Sequence, residues 1–193
     1  MYKLCKSESS AARQRELEAG LLGIMLTKRY EEITVSDLCD ELQIPRKSFY
    51  RYFSSKDGAL QALLDHTLME YETFSGPYQE GQPRTLEKDL ERFFLFWLHH
   101  RQLLDALERN SMSPVLMQRC ISGAMAGQII PRRFLRLESK DTLEGVILFT
   151  ICGLMTMVIE WHHGGYRQPA SHMARLAVRL LSKPLYPEAQ NLL

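Results

Sequence analysis

Residues 34–57 read T-V-S-D-L-C-D-E-L-Q-I-P-R-K-S-F-Y-R-Y-F-S-S-K-D, and the fold turns on them. Two short helical patterns abut there across Leu42, Gln43, Ile44 and Pro45, leaving no room for a long loop. Thr34, followed three positions on by Asp37, forms the spacing of a capping box, so a first helix is expected to start at Thr34. Val35, Leu38, Cys39 and Leu42 recur at helical spacing as its buried face. Pro45 closes that helix, because the residue before a proline avoids the helical region, and its fixed φ suits the first turn of the next helix. In the second pattern Phe49 and Phe53 share one face, whereas Arg46 with Tyr50, and Lys47 with Arg51, form the opposite rows. One face is apolar and the other basic: Arg46, Lys47, Arg51 and Lys56 fall between Ile44 and Lys56, and the first acid is Asp57. The net charge of the chain is only +1, so this is a local concentration of charge. Two helices so joined form a helix-turn-helix.

The run from Thr34 to about Leu60, with its Thr-Val start, Phe-Tyr-x-x-Phe second helix and Ser-Lys-Asp continuation, resembles the DNA-binding segment of TetR/AcrR-family transcriptional regulators. Where that family usually has Ala-Gly in the turn, this chain has Leu42 and Gln43, which is expected to cost about 1 kcal/mol if Gln43 takes a positive φ. Position in a recognition helix assigns Arg46, Lys47 and Ser48 to base edges, where an arginine or lysine prefers guanine. Tyr50, Arg51 and Lys56, with Thr34 and Ser36 at the start of the preceding helix, are assigned to phosphates.

Upstream, Met1 to about Ser10 reads as a frayed arm carrying Lys3 and Lys6, either a plain tail or a second contact with DNA. A helix over about 11–28 follows, with Leu17, Leu21, Ile24 and Met25 as its buried stripe. It supplies the third wall of a three-helix domain, placed at residues 1–54. Residues 55–193 are assigned to a C-terminal helical domain. It opens with a capping spacing at Ser54 and Asp57 and a long helix through Leu60, Leu63, Leu64, Thr67, Leu68 and Tyr71. After the loop SGPYQEGQPR, helical patterns cover about 85–100, 102–110, 115–121, 129–137, 141–163 and 171–182. Val146 to Ile151 has strand-like β-branched content, but the length of its run and the flanking caps favour helix. The expected class is all-α.

A chain of 193 residues with 45% apolar and 24% charged residues has the composition of an ordinary globular protein. Cys5, Cys39, Cys120 and Cys152 lack C-x-x-C spacing and read as reduced thiols of a cytoplasmic protein. The N-terminal residues contain no signal-peptide core. The longest uncharged run, Gly145 to Ile159, spans fifteen residues, short of the ~20 that cross a bilayer, so no membrane partner is expected. Nucleophile-elbow, P-loop and dinucleotide motifs are missing, so no enzyme is expected. The pairs His99-His100 and His162-His163 point about 100° apart on a helix and sit at helix ends, where the negative dipole pole favours histidine. Neither metal nor cofactor is expected.

The run VILFTICGLMTMVI is apolar on every side, so its helix needs cover all round. The resemblance implies a homodimer closed by the helices at about 141–163 and 171–182, reading a pseudo-palindromic operator. It also implies a pocket for a small-molecule effector in the C-terminal domain. Aromatic and methionine stripes at helical spacing usually pack as core; the candidate lining residues are Phe93, Phe94, Trp97, His100, Met117, Met125, Phe149 and Met155. The expected activity is repression relieved by effector. The alternative is a DNA-bound regulator controlled by a protein partner.

Overall fold

The computed structural model describes residues 1–3, 5, 7–74, 83–127 and 140–182. Within them the chain forms nine α-helices: α1 (Glu8–Met25), α2 (Val35–Glu41), α3 (Arg46–Tyr50), α4 (Lys56–Thr73), α5 (Leu86–His99), α6 (Arg101–Arg109), α7 (Ser113–Met125), α8 (Lys140–His163) and α9 (Ala170–Ser182). A single 3-10 turn, Tyr30–Glu32, joins α1 to α2. The helical pattern read at 129–137 lies outside the described residues. The all-α class holds.

Two compact units emerge. One comprises residues 1–70 and 102–119, the other 71–101 and 120–193. This division differs from the boundary placed between residues 54 and 55. Most of α4 packs with the first unit through its apolar positions, and α6 and the start of α7 join it there.

In the first unit, α1 starts earlier than its sequence pattern suggested, because the Ser7 hydroxyl accepts the Ser10 N–H and caps it. Leu17, Leu21 and Met25 are buried as expected, but Ile24 is only half-buried and two polar residues, Gln14 and Glu18, complete the stripe. Each is met. Gln14 accepts from the Cys5 thiol at 3.0 Å and donates to the Lys3 carbonyl at 3.2 Å, while Glu18 holds His66 Nδ1 at 2.8 Å. The arm expected to fray is instead bound along residues 52–54. Tyr2 and Phe53 form an antiparallel bridge, Lys3 N–H donates to the Tyr52 carbonyl at 2.9 Å, and the Tyr2 hydroxyl donates to Asp65 at 3.1 Å. Lys6 lies outside the described residues.

The cap of α4 is one residue later than the expected Ser54. The Ser55 hydroxyl accepts the Gly58 N–H at 3.2 Å, and the Ser54 hydroxyl donates to the Met1 carbonyl at 2.9 Å. Leu60, Leu63, Leu64, Thr67, Leu68 and Tyr71 are all buried, which is the face the spacing gave.

The second unit is built on aromatic packing. Phe93, Phe94, Phe96 and Trp97 of α5 are buried, and Phe94 meets Trp161 of α8 edge-on at 5.7 Å between centroids. Helix α9 lies along α5. Helix α8 ends at His163, as expected, where Gly165 adopts φ +67, the left-handed conformation in which a glycine ends a helix at little cost. The uncharged run is part of this longer helix. Thr142–His163, whose most apolar 18-residue window has a mean hydropathy of 2.0, is long and apolar enough to cross a membrane, a test that the core helix of a bundle also passes.

Candidate nucleic-acid interface

The helix-turn-helix is held together by short local contacts. Thr34 caps α2: its hydroxyl accepts the Asp37 N–H at 3.1 Å, and Asp37 returns a carboxylate oxygen to the Thr34 N–H at 2.7 Å. The same oxygen accepts from Lys28 at 2.9 Å. Fixed by the Thr34 backbone first and Lys28 second, the Asp37 carboxyl titrates at about 2. Leu38 and Cys39 are buried, with Val35 and Leu42 half-buried. Burial, the largest influence on it, pushes the Cys39 thiol up.

The turn departs from a glycine-containing one in two linked ways. Gln43 takes φ 51, so a side chain sits where glycine is cheapest. Leu42 then lies against α1 at Gly20, where a Cβ would come within 2.7 Å of the Leu42 Cδ1. The bulk at position 42 is accommodated by a missing side chain at position 20.

Helix α3 has one fully buried face, Phe49, continued by Phe53 just beyond its end, with ring centroids 5.3 Å apart. Its other face is open. Arg46, Lys47, Tyr50 and Arg51 are exposed and Ser48 is half-buried. Arg46 donates to the Ser36 hydroxyl, tying α3 to α2 across the turn. Thr34 and Ser36 lie at the start of α2, the hydroxyl of the first serving its cap and that of the second serving Arg46.

Lys56 has a different position from the phosphate contact expected of it. Its ammonium donates to the carbonyls of Tyr30, of Glu31 at 3.2 Å and of Ile33 at 2.8 Å, and it lies 4.5 Å from the Tyr30 ring centroid. Three donors meet three carbonyls, so Lys56 serves the fold. Sequence reasoning missed this because the acceptors are backbone atoms, which carry no residue signature. It also missed the Tyr30 hydroxyl, which donates to Asp57 at 2.6 Å and is pushed well above the ordinary phenol range, by burial first and by Asp57 second.

The effector candidates separate. Phe93, Trp97 and Met155 are buried in the second unit, Met125 is half-buried, and the His100 ring lies tilted against Phe96 with centroids 4.5 Å apart. Met117 belongs to the first unit. Phe149 is 73% exposed and borders an apolar groove of about 140 Å³ with Leu154 of α8 and Leu180 and Leu181 of α9. It is a surface residue, since its register on α8 turns it away from Ile147 and Ile151, which are buried. Among the histidines, His162 Nδ1 meets the Tyr166 hydroxyl at 2.7 Å and His163 lies 3.8 Å from Glu160.

Comparison with known proteins agrees with this geometry. Residues 26–63 match the model of the bacterial regulatory proteins of the tetR family. The chain is 28% identical over 155 residues to the HTH-type transcriptional regulator EthR of Mycolicibacterium smegmatis, covering 74% of this chain and 70% of that protein. Among solved structures, a TetR transcriptional regulator from Streptococcus agalactiae has the same fold with a TM-score of 0.66 at 13% identity, over 91% of this chain and 96% of that one. The dihydroxyacetone kinase operon activator DhaS does so with a TM-score of 0.60 at 13% identity, over 89% and 94%. The capped helix-turn-helix, its exposed cationic face and these likenesses converge: residues 26–63 form a helix-turn-helix of the kind found in the bacterial regulatory proteins of the tetR family, and over 74% of its length the chain is similar to a DNA-binding transcriptional regulator.

Proposed function

We propose that the protein is a one-component repressor released from a pseudo-palindromic operator when a small molecule binds residues 55–193. The observation that carries this reading is α3: one face is locked by Phe49 and Phe53, and the other offers Arg46, Lys47, Tyr50 and Arg51 to solvent. Arg46, Lys47 and Ser48, at the start of α3, take base edges. Tyr50 and Arg51, with Ser36, take phosphates, and Thr34, both of whose donors go to Asp37, holds the cap beside them. Lys56 is left out of that set because its donors are occupied.

Regulators of this family bind operators and usually dimerise. Here the dimer is assigned to α8 and α9, on which Leu148, Phe149, Leu176, Leu180 and Leu181 are exposed. Apolar side chains lined along two adjacent helices support cover by a second copy. Helix α4 is unbroken from Lys56 to Thr73, which suits it to carry a change in residues 55–193 to the recognition helices. A coupling of about 1 to 3 kcal/mol between effector and operator suffices to release DNA.

The test is to sequence genomic fragments retained by the purified protein and titrate the recovered site. A single pseudo-palindrome with half-sites about one helical turn apart is expected. Fragments without a shared sequence would overturn sequence-specific regulation. Light scattering should give a dimer that Phe149→Asp converts to monomer.

A further inference from the structure

Residues 1–3 are built into the reading unit by backbone groups on both sides. Tyr2 faces Phe53 in the antiparallel bridge. The Lys3 N–H donates to the Tyr52 carbonyl at 2.9 Å on one side of it, and the Ser54 N–H donates to the Met1 carbonyl at 3.2 Å on the other. The Ser54 hydroxyl donates to that same carbonyl at 2.9 Å, which occupies both of its lone pairs. Gly58, in the first turn of α4, makes so close an approach possible: a Cβ there would stand 2.5 Å from the Met1 carbonyl oxygen. Beyond its bond to Asp65, Tyr2 also meets the His66 ring edge-on, with centroids 5.5 Å apart.

This docking decides where Lys3 points. Side chains alternate between the two faces of an extended segment, and residues opposite each other in an antiparallel pair share a face. Tyr2 and Phe53 take the inward one: Phe53 is 1% exposed, and Tyr2 reaches α4. Lys3 therefore falls on the outward face, where it is exposed and its ammonium has no partner among the described residues. Phe53 also marks the inward side of α3, whose open side carries Tyr50 and Arg51. Paired strands run about 4.8 Å apart, so Lys3 lies one such spacing from Tyr52, the residue after Arg51. The stretch it borders, residues 42–56, holds no acid. Lys3 thus extends the cationic face of α3 past its C-terminal end.

We propose that the docked arm carries Lys3 to the DNA backbone, as a phosphate contact beside those of Tyr50 and Arg51. The assignment rests on the operator reading above. Each DNA strand presents a phosphate about every 3.4 Å along the helix axis, so a cation on a flexible stem next to Arg51 has neighbouring phosphates of the same backbone to meet. Such a contact positions the protein without reading sequence. Lys3 therefore contributes equally to operator and to unrelated DNA.

The test follows binding of the full chain against salt, on the site recovered from genomic fragments and on an unrelated duplex of equal length. Lys3→Ala keeps the backbone bonds of the arm. It is expected to flatten the dependence of log K on log salt by about 0.9 on both duplexes, with the preference for the operator unchanged. Lys3→Arg should keep the wild-type slope. Gly58→Ala leaves every charge of the chain in place but sets a methyl against the Met1 carbonyl, so the arm leaves Phe53 and the slope should flatten as in Lys3→Ala. A wild-type slope in either Lys3→Ala or Gly58→Ala overturns the docked-arm contact and leaves the operator reading standing. A wild type that binds both duplexes alike overturns the operator reading instead.

Discussion

Asn110 accepts the backbone N–H of Tyr30 at 2.6 Å across 80 residues of sequence. The same side chain donates to the Met25 carbonyl at 3.0 Å and to Ala106 within α6 at 2.7 Å. One amide thus closes the end of α1 and the start of the 3-10 turn. Asn110→Ala takes the side-chain partner from one N–H and two carbonyls and is expected to lower stability by about 1 to 3 kcal/mol in urea unfolding. Asn110→Asp keeps the acceptor for Tyr30 but sets a carboxylate oxygen against the Met25 and Ala106 carbonyls, so its loss should be at least as large. A wild-type midpoint for Asn110→Ala would show that water replaces the amide at no cost.

Lys56 and Arg51 should separate in their dependence on salt. Lys56→Met removes three donors to carbonyls and is expected to reduce stability by about 2 kcal/mol, with the salt slope of operator binding unchanged. Arg51→Ala should leave stability near wild type and flatten the slope by about 0.9. A flattened slope for Lys56→Met would return Lys56 to the phosphate contacts.

The Thr34–Asp37 box makes a pH prediction. The Asp37 carboxyl is lowered from 3.8 to about 2 in the folded chain. A depressed acid contributes stability that is fully present above its ordinary value and lost as the pH falls through the folded value. The difference in melting temperature between wild type and Asp37→Asn should therefore hold down to about pH 5 and close between about 4 and 2. Thr34→Ala, which removes the cap itself, should cost about 1 kcal/mol at neutral pH.

Gln43→Gly should relieve the left-handed backbone at φ 51. The gain is offset in part by the freedom glycine adds to the unfolded chain, so a net stabilisation of about 0.5 to 1 kcal/mol is expected from chemical denaturation. Operator affinity should not change, because Gln43 is assigned no contact with DNA.

Local signals carried most of the fold. The Thr34 cap, the buried face of α4 and the glycine stop after His163 each depend on residues within a turn or two, and each lies where spacing put it. What the sequence did not disclose depends on distant partners. Glu18 looks like a solvent residue until His66, 48 positions on, is beside it. The bound arm depends on backbone groups of residues 52–54, and the role of Lys56 on carbonyls. For the candidate site, the exposed cations of α3 were legible because amphipathic spacing decides their face. The outward turn of Phe149 was not, because α8 is apolar on every side and its composition does not say which side faces another helix.

Tyr30 is engaged at every polar atom: its N–H by Asn110, its carbonyl by Lys56 and its hydroxyl by Asp57. None of these partners falls between Pro45 and Ser55. The residues that hold Tyr30 and those that face solvent from α3 are therefore separate sets, Arg46 alone also tying α3 to α2 through Ser36, and substitutions at Lys47 or Ser48 leave every Tyr30 contact in place. A lineage of such proteins can drift from one operator to another, one surface side chain at a time, without an unstable intermediate.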